Sequence, residues 1–162
     1  MQIIEGKQSG AEFRRFALVV SKYHEFVTGR LETGALAALS AAGVDPEAIT
    51  VVRVPGAFEI PLAARCAAES GAYDAVICLG CLIRGATVHF DLIASGVSQG
   101  LIAASAATGV PIAFGVLTTN SAEEALERAA DGPSNKGWEA ATAAIEMIGV
   151  VAGLGRPRPS RP

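Results

Sequence analysis

Asp74-Ala75-Val76-Ile77-Cys78-Leu79-Gly80 is a near-continuous apolar run, and its reading decides the fold. A strand with one wet face alternates apolar and polar residues, whereas a run apolar at almost every position belongs to a central parallel strand covered on both faces. Upstream, residues 15–20 read as a strand ending at Ser21-Lys22-Tyr23. A helix over 25–42 follows, with Val27, Leu31, Ala35 and Leu39 on one stripe and Gly43 closing it. Residues 49–54, β-branched and bounded by Pro55-Gly56, make a second strand, and the Ala-rich stretch 61–70 a helix. Downstream come a helix over 90–107, a turn at Thr108-Gly109-Val110-Pro111 and a fourth strand over 112–117. Two further helices, 121–130 and 135–152, are joined by Asp131-Gly132-Pro133-Ser134, which carries turn chemistry. Strands alternating with helices imply an open parallel α/β sheet with right-handed crossovers. The expected domain is 1–154, followed by a Pro- and Arg-rich tail, 155–162, expected to be disordered.

Composition narrows the class. At 162 residues the chain has room for one domain, and its 51% hydrophobic content with only 6% aromatics suits a close-packed core of Ala, Val, Leu and Ile. Thirteen Lys+Arg against sixteen Asp+Glu, a formal net charge of −3, provide no general attraction for nucleic acid or an anionic membrane. Three cysteines, with neither a basic n-region nor a long apolar h-region in residues 1–10, point to a reduced, cytoplasmic setting. No charged residue occurs over 92–122. Ser95, Ser98, Gln99, Ser105, Gly109 and Pro111 interrupt that stretch. It reads as a buried soluble helix, turn and strand, not the ~20 apolar residues of a membrane span.

Ligands of open parallel sheets bind outside the carboxyl ends of the strands. That directs attention to residues 21–26, 54–59, 80–89 and the region after Leu117. Cys78-Leu79-Gly80-Cys81 has C-x-x-C spacing, but no second pair is present, and positions three apart on a strand point to opposite faces. Two buried structural cysteines are the better reading, and no metal site is expected. Gly96-Val97-Ser98-Gln99-Gly100 matches a nucleophile elbow, yet it sits within a helix and both histidines, His24 and His89, lie upstream. Small residues packing that helix against the sheet explain it better.

Arg84-Gly85-Ala86-Thr87-Val88-His89-Phe90 is more informative. Gly85 lets backbone approach a ligand, a helix N-terminus binds anions, and His89 at its mouth suits proton transfer. The equally weighted plain reading makes Thr87 only a helix cap and His89 only a turn residue. In Val54-Pro55-Gly56-Ala57-Phe58-Glu59-Ile60-Pro61, Phe58 suits a planar ring and Glu59 suits hydroxyls. Taken alone, an ordinary strand-to-helix turn fits this block slightly better.

Together, the blocks at 55–61 and 84–91 and Gly115-Val116-Leu117-Thr118-Thr119-Asn120 resemble the lumazine synthase family. Ala125-Leu126-Glu127-Arg128-Ala129 and Asn135-Lys136-Gly137 extend the likeness, which runs in colinear order over roughly residues 16–148. The resemblance implies a flavodoxin-like α/β/α sandwich with a central parallel four-stranded sheet plus an N-terminal arm strand. It implies condensation of 5-amino-6-(D-ribitylamino)uracil with 3,4-dihydroxy-2-butanone 4-phosphate to 6,7-dimethyl-8-ribityllumazine, phosphate and water, with no cofactor and no metal. By matching position, Tyr23 stacks on the pyrimidine. Ala57, Phe58 and Glu59 hold the ribityl chain and ring, and Cys81, Leu82 and Ile83 read the pyrimidine edge through backbone groups. Ala86 and Thr87 cradle the phosphate, joined by Arg128. Phe114, from an adjacent subunit, and Lys136 also match site positions, and His89 matches the proton-transfer residue. The family often has an aromatic residue followed by Asn where this chain has Tyr23-His24, a change that keeps a stacking face and alters the donor–acceptor geometry.

Two alternatives stand beside an enzyme: a flavin- or lumazine-binding paralogue without turnover, and a structural shell protein. His89, Arg128 and Lys136 argue against both as sole functions. The resemblance also implies a homopentamer. The short linker between Arg128 and Lys136 favours an icosahedral 60-mer over a free pentamer, and Ile3-Ile4 of the arm is suited to a neighbour's sheet edge.

Overall fold

The computed structural model describes residues 1–155, so all but the first residue of the expected tail lies outside the described residues. Four parallel strands, β1 (Phe16–Ser21), β2 (Ile49–Val54), β3 (Ala75–Ile83) and β4 (Ile112–Thr119), form one sheet in the order β2-β1-β3-β4. Five helices connect and follow them: α1 (Glu25–Ala41), α2 (Ile60–Glu69), α3 (His89–Thr108), α4 (Ala122–Arg128) and α5 (Lys136–Gly153). The chain winds outward from β1 to β2, returns to β3 on the other side of β1, and continues to β4. The switch point therefore lies beyond the carboxyl ends of β1 and β3.

Alternation along the central strands explains the layers. Phe16, Leu18 and Val20 of β1 and Ala75, Ile77, Leu79 and Cys81 of β3 face one way, against α1 and α5. Ala17, Val19, Val76 and Cys78 face the other way, against α2 and α3. Both faces are apolar because both are covered, making a three-layer α/β/α sandwich of flavodoxin-like topology. Cys78 and Cys81 are free, buried and on opposite faces. Among the described residues no cluster of His, Cys, Asp and Glu is arranged to hold a metal ion.

The two helical layers differ. On the α1–α5 side Val27, Leu31, Ala35 and Leu39, the expected stripe, are fully buried. A Cβ on Gly137 would collide with the backbone carbonyl of Leu31, so α5 approaches α1 at a distance only glycine permits. Asn135 caps α5: its Oδ1 accepts from the N–H groups of Gly137 (2.8 Å) and Trp138 (3.3 Å). Its amide donates to the carbonyls of Ala129 (3.0 Å) and Arg30 (3.2 Å), which satisfies a buried polar side chain completely.

On the other side α3 buries only Val97, Leu101 and Ala104. The expectation of a buried segment over 92–122 therefore holds for much of β4 and fails for most of α3, because one chain supplies nothing to cover the outer surface of that helix. By length and composition α3 is the one described helix apolar enough to cross a membrane. Gly96-Val97-Ser98-Gln99-Gly100 lies inside α3, where Ser98 Oγ donates to the Ser95 carbonyl (3.1 Å) and Gly100 packs against Pro61 of α2. The small residue serves a helix–helix contact, not the helix–sheet contact expected from sequence. Residues 1–7 of the arm form no strand within the chain; Ile4 lies against Gly153 of α5.

Candidate active site

Two short connections and one loop meet at the switch point. Between β1 and α1 the chain has only residues 22–24 in which to reverse. Tyr23 N–H donates to Ser21 Oγ (3.2 Å), and His24 takes the left-handed conformation (φ 59°, ψ 46°), with its carbonyl accepting from Val27 and Thr28. His24 is the one described non-glycine residue with positive φ. Asn and His are among the residue types that tolerate this region best, which gives a backbone reason for the Asn-to-His departure at this position. The His24 ring meets Tyr23 edge-on at 4.5 Å and Phe26 at 5.8 Å. Partial burial lowers its pKa from the ordinary 6.5 by penalising the charged form.

After β2, a single turn of 3-10 helix over Ala57–Glu59 leads into α2. Ala57 is buried and Phe58 exposed (64%), so the aromatic face is presented outward. Glu59 Oε2 accepts from Gly56 N–H (2.8 Å), so one oxygen stabilises the turn while the exposed carboxylate retains acceptor capacity. β3 runs three residues beyond the expected end at Gly80, because Leu82 and Ile83 pair with Thr118 and Thr119 of β4, which itself outruns its expected end at Leu117. Burial pushes the Cys81 thiol up to about 11, and the Cys78 thiol well above its ordinary value, so neither is a nucleophile at neutral pH.

Thr87 is not the helix cap. Val88 occupies that position, and no side chain bonds to the end of α3. Val88 instead accepts from the Asp91 and Leu92 N–H groups, so the N–H groups of His89 and Phe90 have no acceptor among the described residues. A Thr87 hydroxyl and two backbone donors thus remain available to an anion beside His89. Tyr23, Ala57, Phe58, Leu82, Thr87 and His89 line one cleft of about 480 Å³, with His24, Gly56, Ile83, Gly85, Phe90 and Ile93 completing it. This lies in the range of small-molecule sites.

Phe114, Arg128 and Lys136 are elsewhere. They line a second cleft of about 390 Å³ between β4 and α5, which shares no lining residue with the first. Arg128 Nη1 donates to the Glu124 carbonyl (3.1 Å), and Lys136 Nζ contacts both Glu139 oxygens (2.8 and 2.7 Å). Within one chain, Arg128 does not join Ala86 and Thr87. The sequence reading missed Phe90 and Ile93 as cleft walls and Glu139 as the Lys136 partner. Phe90 adjoins His89, Ile93 stands one helical turn beyond it, and Glu139 stands one turn from Lys136.

The parallel sheet thus carries an aromatic, histidine-bearing cleft at its switch point and cationic groups at a second cleft between β4 and α5. The family model for 6,7-dimethyl-8-ribityllumazine synthase matches residues 14–152. The 6,7-dimethyl-8-ribityllumazine synthase of Desulfatibacillum aliphaticivorans is 49% identical over 147 residues, covering 91% of this chain and 94% of that one. The chain belongs to the 6,7-dimethyl-8-ribityllumazine synthase family, transferases of riboflavin biosynthesis.

Proposed function

We propose that the two clefts are halves of one composite active site, completed between neighbouring chains. The reaction is that of the family: 5-amino-6-(D-ribitylamino)uracil and 3,4-dihydroxy-2-butanone 4-phosphate give 6,7-dimethyl-8-ribityllumazine, inorganic phosphate and water. The observation that carries the composite reading is the separation of Phe114, Arg128 and Lys136 from Tyr23, Phe58 and His89 into clefts with no common wall.

In this reading Tyr23 and Phe58 sandwich or flank the pyrimidine, Glu59 accepts from ribityl hydroxyls, and backbone groups of Cys81, Leu82 and Ile83 meet the ring edge. Ala86, Thr87 and the α3 N-terminus hold the phosphate, with the Arg128 fork from the neighbour closing over it. The uracil's primary amine attacks the butanone carbonyl carbon and loses water to form an imine. A proton is removed, phosphate departs with the C–O bond electrons, and the resulting enol becomes a ketone. The ribityl-bearing nitrogen attacks that ketone carbon, and loss of a second water closes the ring. Proximity and proton transfer suffice, and His89 beside the phosphate moves the protons.

Assembly follows from the same reading. The exposed Leu92 and Ile102 of α3, and an apolar groove of about 620 Å³ bordered by Ile102, Phe114 and Met147, support burial against a neighbouring chain, and the family resemblance makes that assembly a cytoplasmic ring of five. Twelve such rings make the 60-mer favoured by the short linker after Arg128.

Co-assembly tests the composite site. His89→Ala and Arg128→Ala chains, each impaired alone, should regain about a quarter of wild-type activity when mixed in one assembly, the statistical share of boundaries with both halves intact. No recovery would mean that each chain carries its own complete site. In sedimentation, a particle near five chain masses would sink the 60-mer, and a monomer would sink the ring as well.

A further inference from the structure

The loop over residues 85–88 is held by very little of its own. Residues 84–89 are all exposed, and no side chain from Gly85 to His89 makes a hydrogen bond among the described residues. At its start, Arg84 N–H donates to the Thr119 carbonyl at 2.8 Å, and at its far end α3 begins. One side chain spans the interval. Arg84 Nη1 donates to Asp91 Oδ2 (3.1 Å), Nη2 donates to Asp91 Oδ1 (3.0 Å), and the guanidinium lies over the Phe90 ring at 4.3 Å.

We infer that Arg84 is a positioning residue for the phosphate-bearing substrate, its guanidinium strapping the 85–88 loop to the first turn of α3. An isolated surface ion pair holds little, but parallel bidentate geometry and a stacked ring are the circumstances in which such a pair fixes a backbone. Both prongs of the fork are occupied by Asp91, so Arg84 acts through the loop and not as a phosphate ligand. Fixing a loop that would otherwise sample many shapes lowers the ordering cost of each binding event. This inference rests on the reading of Ala86, Thr87 and the α3 N-terminus as the phosphate cradle.

The test measures KM for each substrate separately, and the inhibition constant of inorganic phosphate, in Arg84→Ala, Asp91→Asn, Arg84→Lys and the Arg84→Ala/Asp91→Asn double variant. Arg128→Ala serves as reference. Arg84→Ala and Asp91→Asn should each raise KM for the butanone phosphate about three- to tenfold, as loss of preorganisation predicts, and leave KM for the uracil unchanged. The double variant should be no worse than the worse single one, since one contact is lost in all three. Lysine should restore part of the effect, because it keeps the charge and loses the fork. Asp91→Asn is the decisive arm: it also removes a negative charge near the anion, so a rise in KM opposes simple electrostatics. An unchanged or lowered KM in Asp91→Asn, beside a raised one in Arg84→Ala, would make Arg84 a direct ligand and overturn the strap. Equal shifts in both substrates' KM would overturn it as well. If Arg128→Ala leaves phosphate binding untouched while the strap variants weaken it, the strap survives and the composite site falls.

Discussion

The two clefts differ in how they are built. At the switch point, backbone geometry does the work: a left-handed His24, a 3-10 turn at Ala57–Glu59 and an uncapped α3 present rings, a histidine and free N–H groups. The β4–α5 cleft is held by packing and ion pairs, with Gly137 and Asn135 locking α5 to α1 while Arg128 and Lys136 project from the frame. The first cleft offers rings, a histidine and uncharged donors for an anion, and the second offers formal positive charge. In the proposed composite site the Arg128 guanidinium adds that charge to the phosphate cradle of the first.

Predictions that probe this contrast fall in a natural order of size. His89→Ala should leave the fold intact and slow lumazine formation by about 10²-fold, the low end for a general acid–base group, since these substrates also condense slowly unaided. Unchanged turnover across the pH profile would remove His89 from the reaction. Arg128→Ala should raise KM for the butanone phosphate about tenfold, as expected for a charge-assisted hydrogen bond, and barely affect the ribitylaminouracil. Equal losses for both substrates would erase the division of labour between the clefts.

Gly137→Ala attacks the frame of the second cleft. A methyl group driven towards the Leu31 carbonyl should lower stability by about 1–3 kcal/mol, read as a fall in denaturant midpoint. A wild-type midpoint would show that α5 can move away from α1 at little cost. The smallest effect concerns His24. Its native pKa lies below the unfolded 6.5, so below pH 6.5 the unfolded chain binds more protons at this site than the folded one. The associated stability is complete above pH 6.5 and is lost as pH falls through the lowered native pKa. His24→Asn should keep the left-handed turn and flatten that acid-side slope in urea titrations; an unaltered slope would assign it to other groups.

The central strands β1 and β3 were legible because burial on both faces writes continuous apolar runs, and the edge strand β2 is found at the expected residues 49–54 through its β-branched content and the Pro55-Gly56 that bounds it. Strand and helix ends were less so. The extension of β3 to Ile83 depends on pairing with β4, whose Thr119 lies far along the chain from Ile83, which no local pattern encodes. Thr87 looked like a cap because Thr is a good one, but the chain turns into α3 through Val88 and leaves the hydroxyl free. At the β1–α1 turn, Tyr23-His24 marked a ligand-facing position in sequence; its left-handed geometry became visible only with the three-residue connection in place.

By itself, the sequence determined the order of elements, the two-sided burial of β3 and the family. Each of these depends on short-range periodicity or on residue types at fixed spacing along the chain. Only the tertiary structure decided which of the candidate site residues share a cleft. Tyr23, Phe58 and His89 converge because β1, β2 and β3 end on the same side of a parallel sheet, whereas Phe114, Arg128 and Lys136 gather where α5 crosses β4. Side-chain convergence between residues distant in the chain is set by strand order and helix packing, and these arise from the whole core closing at once.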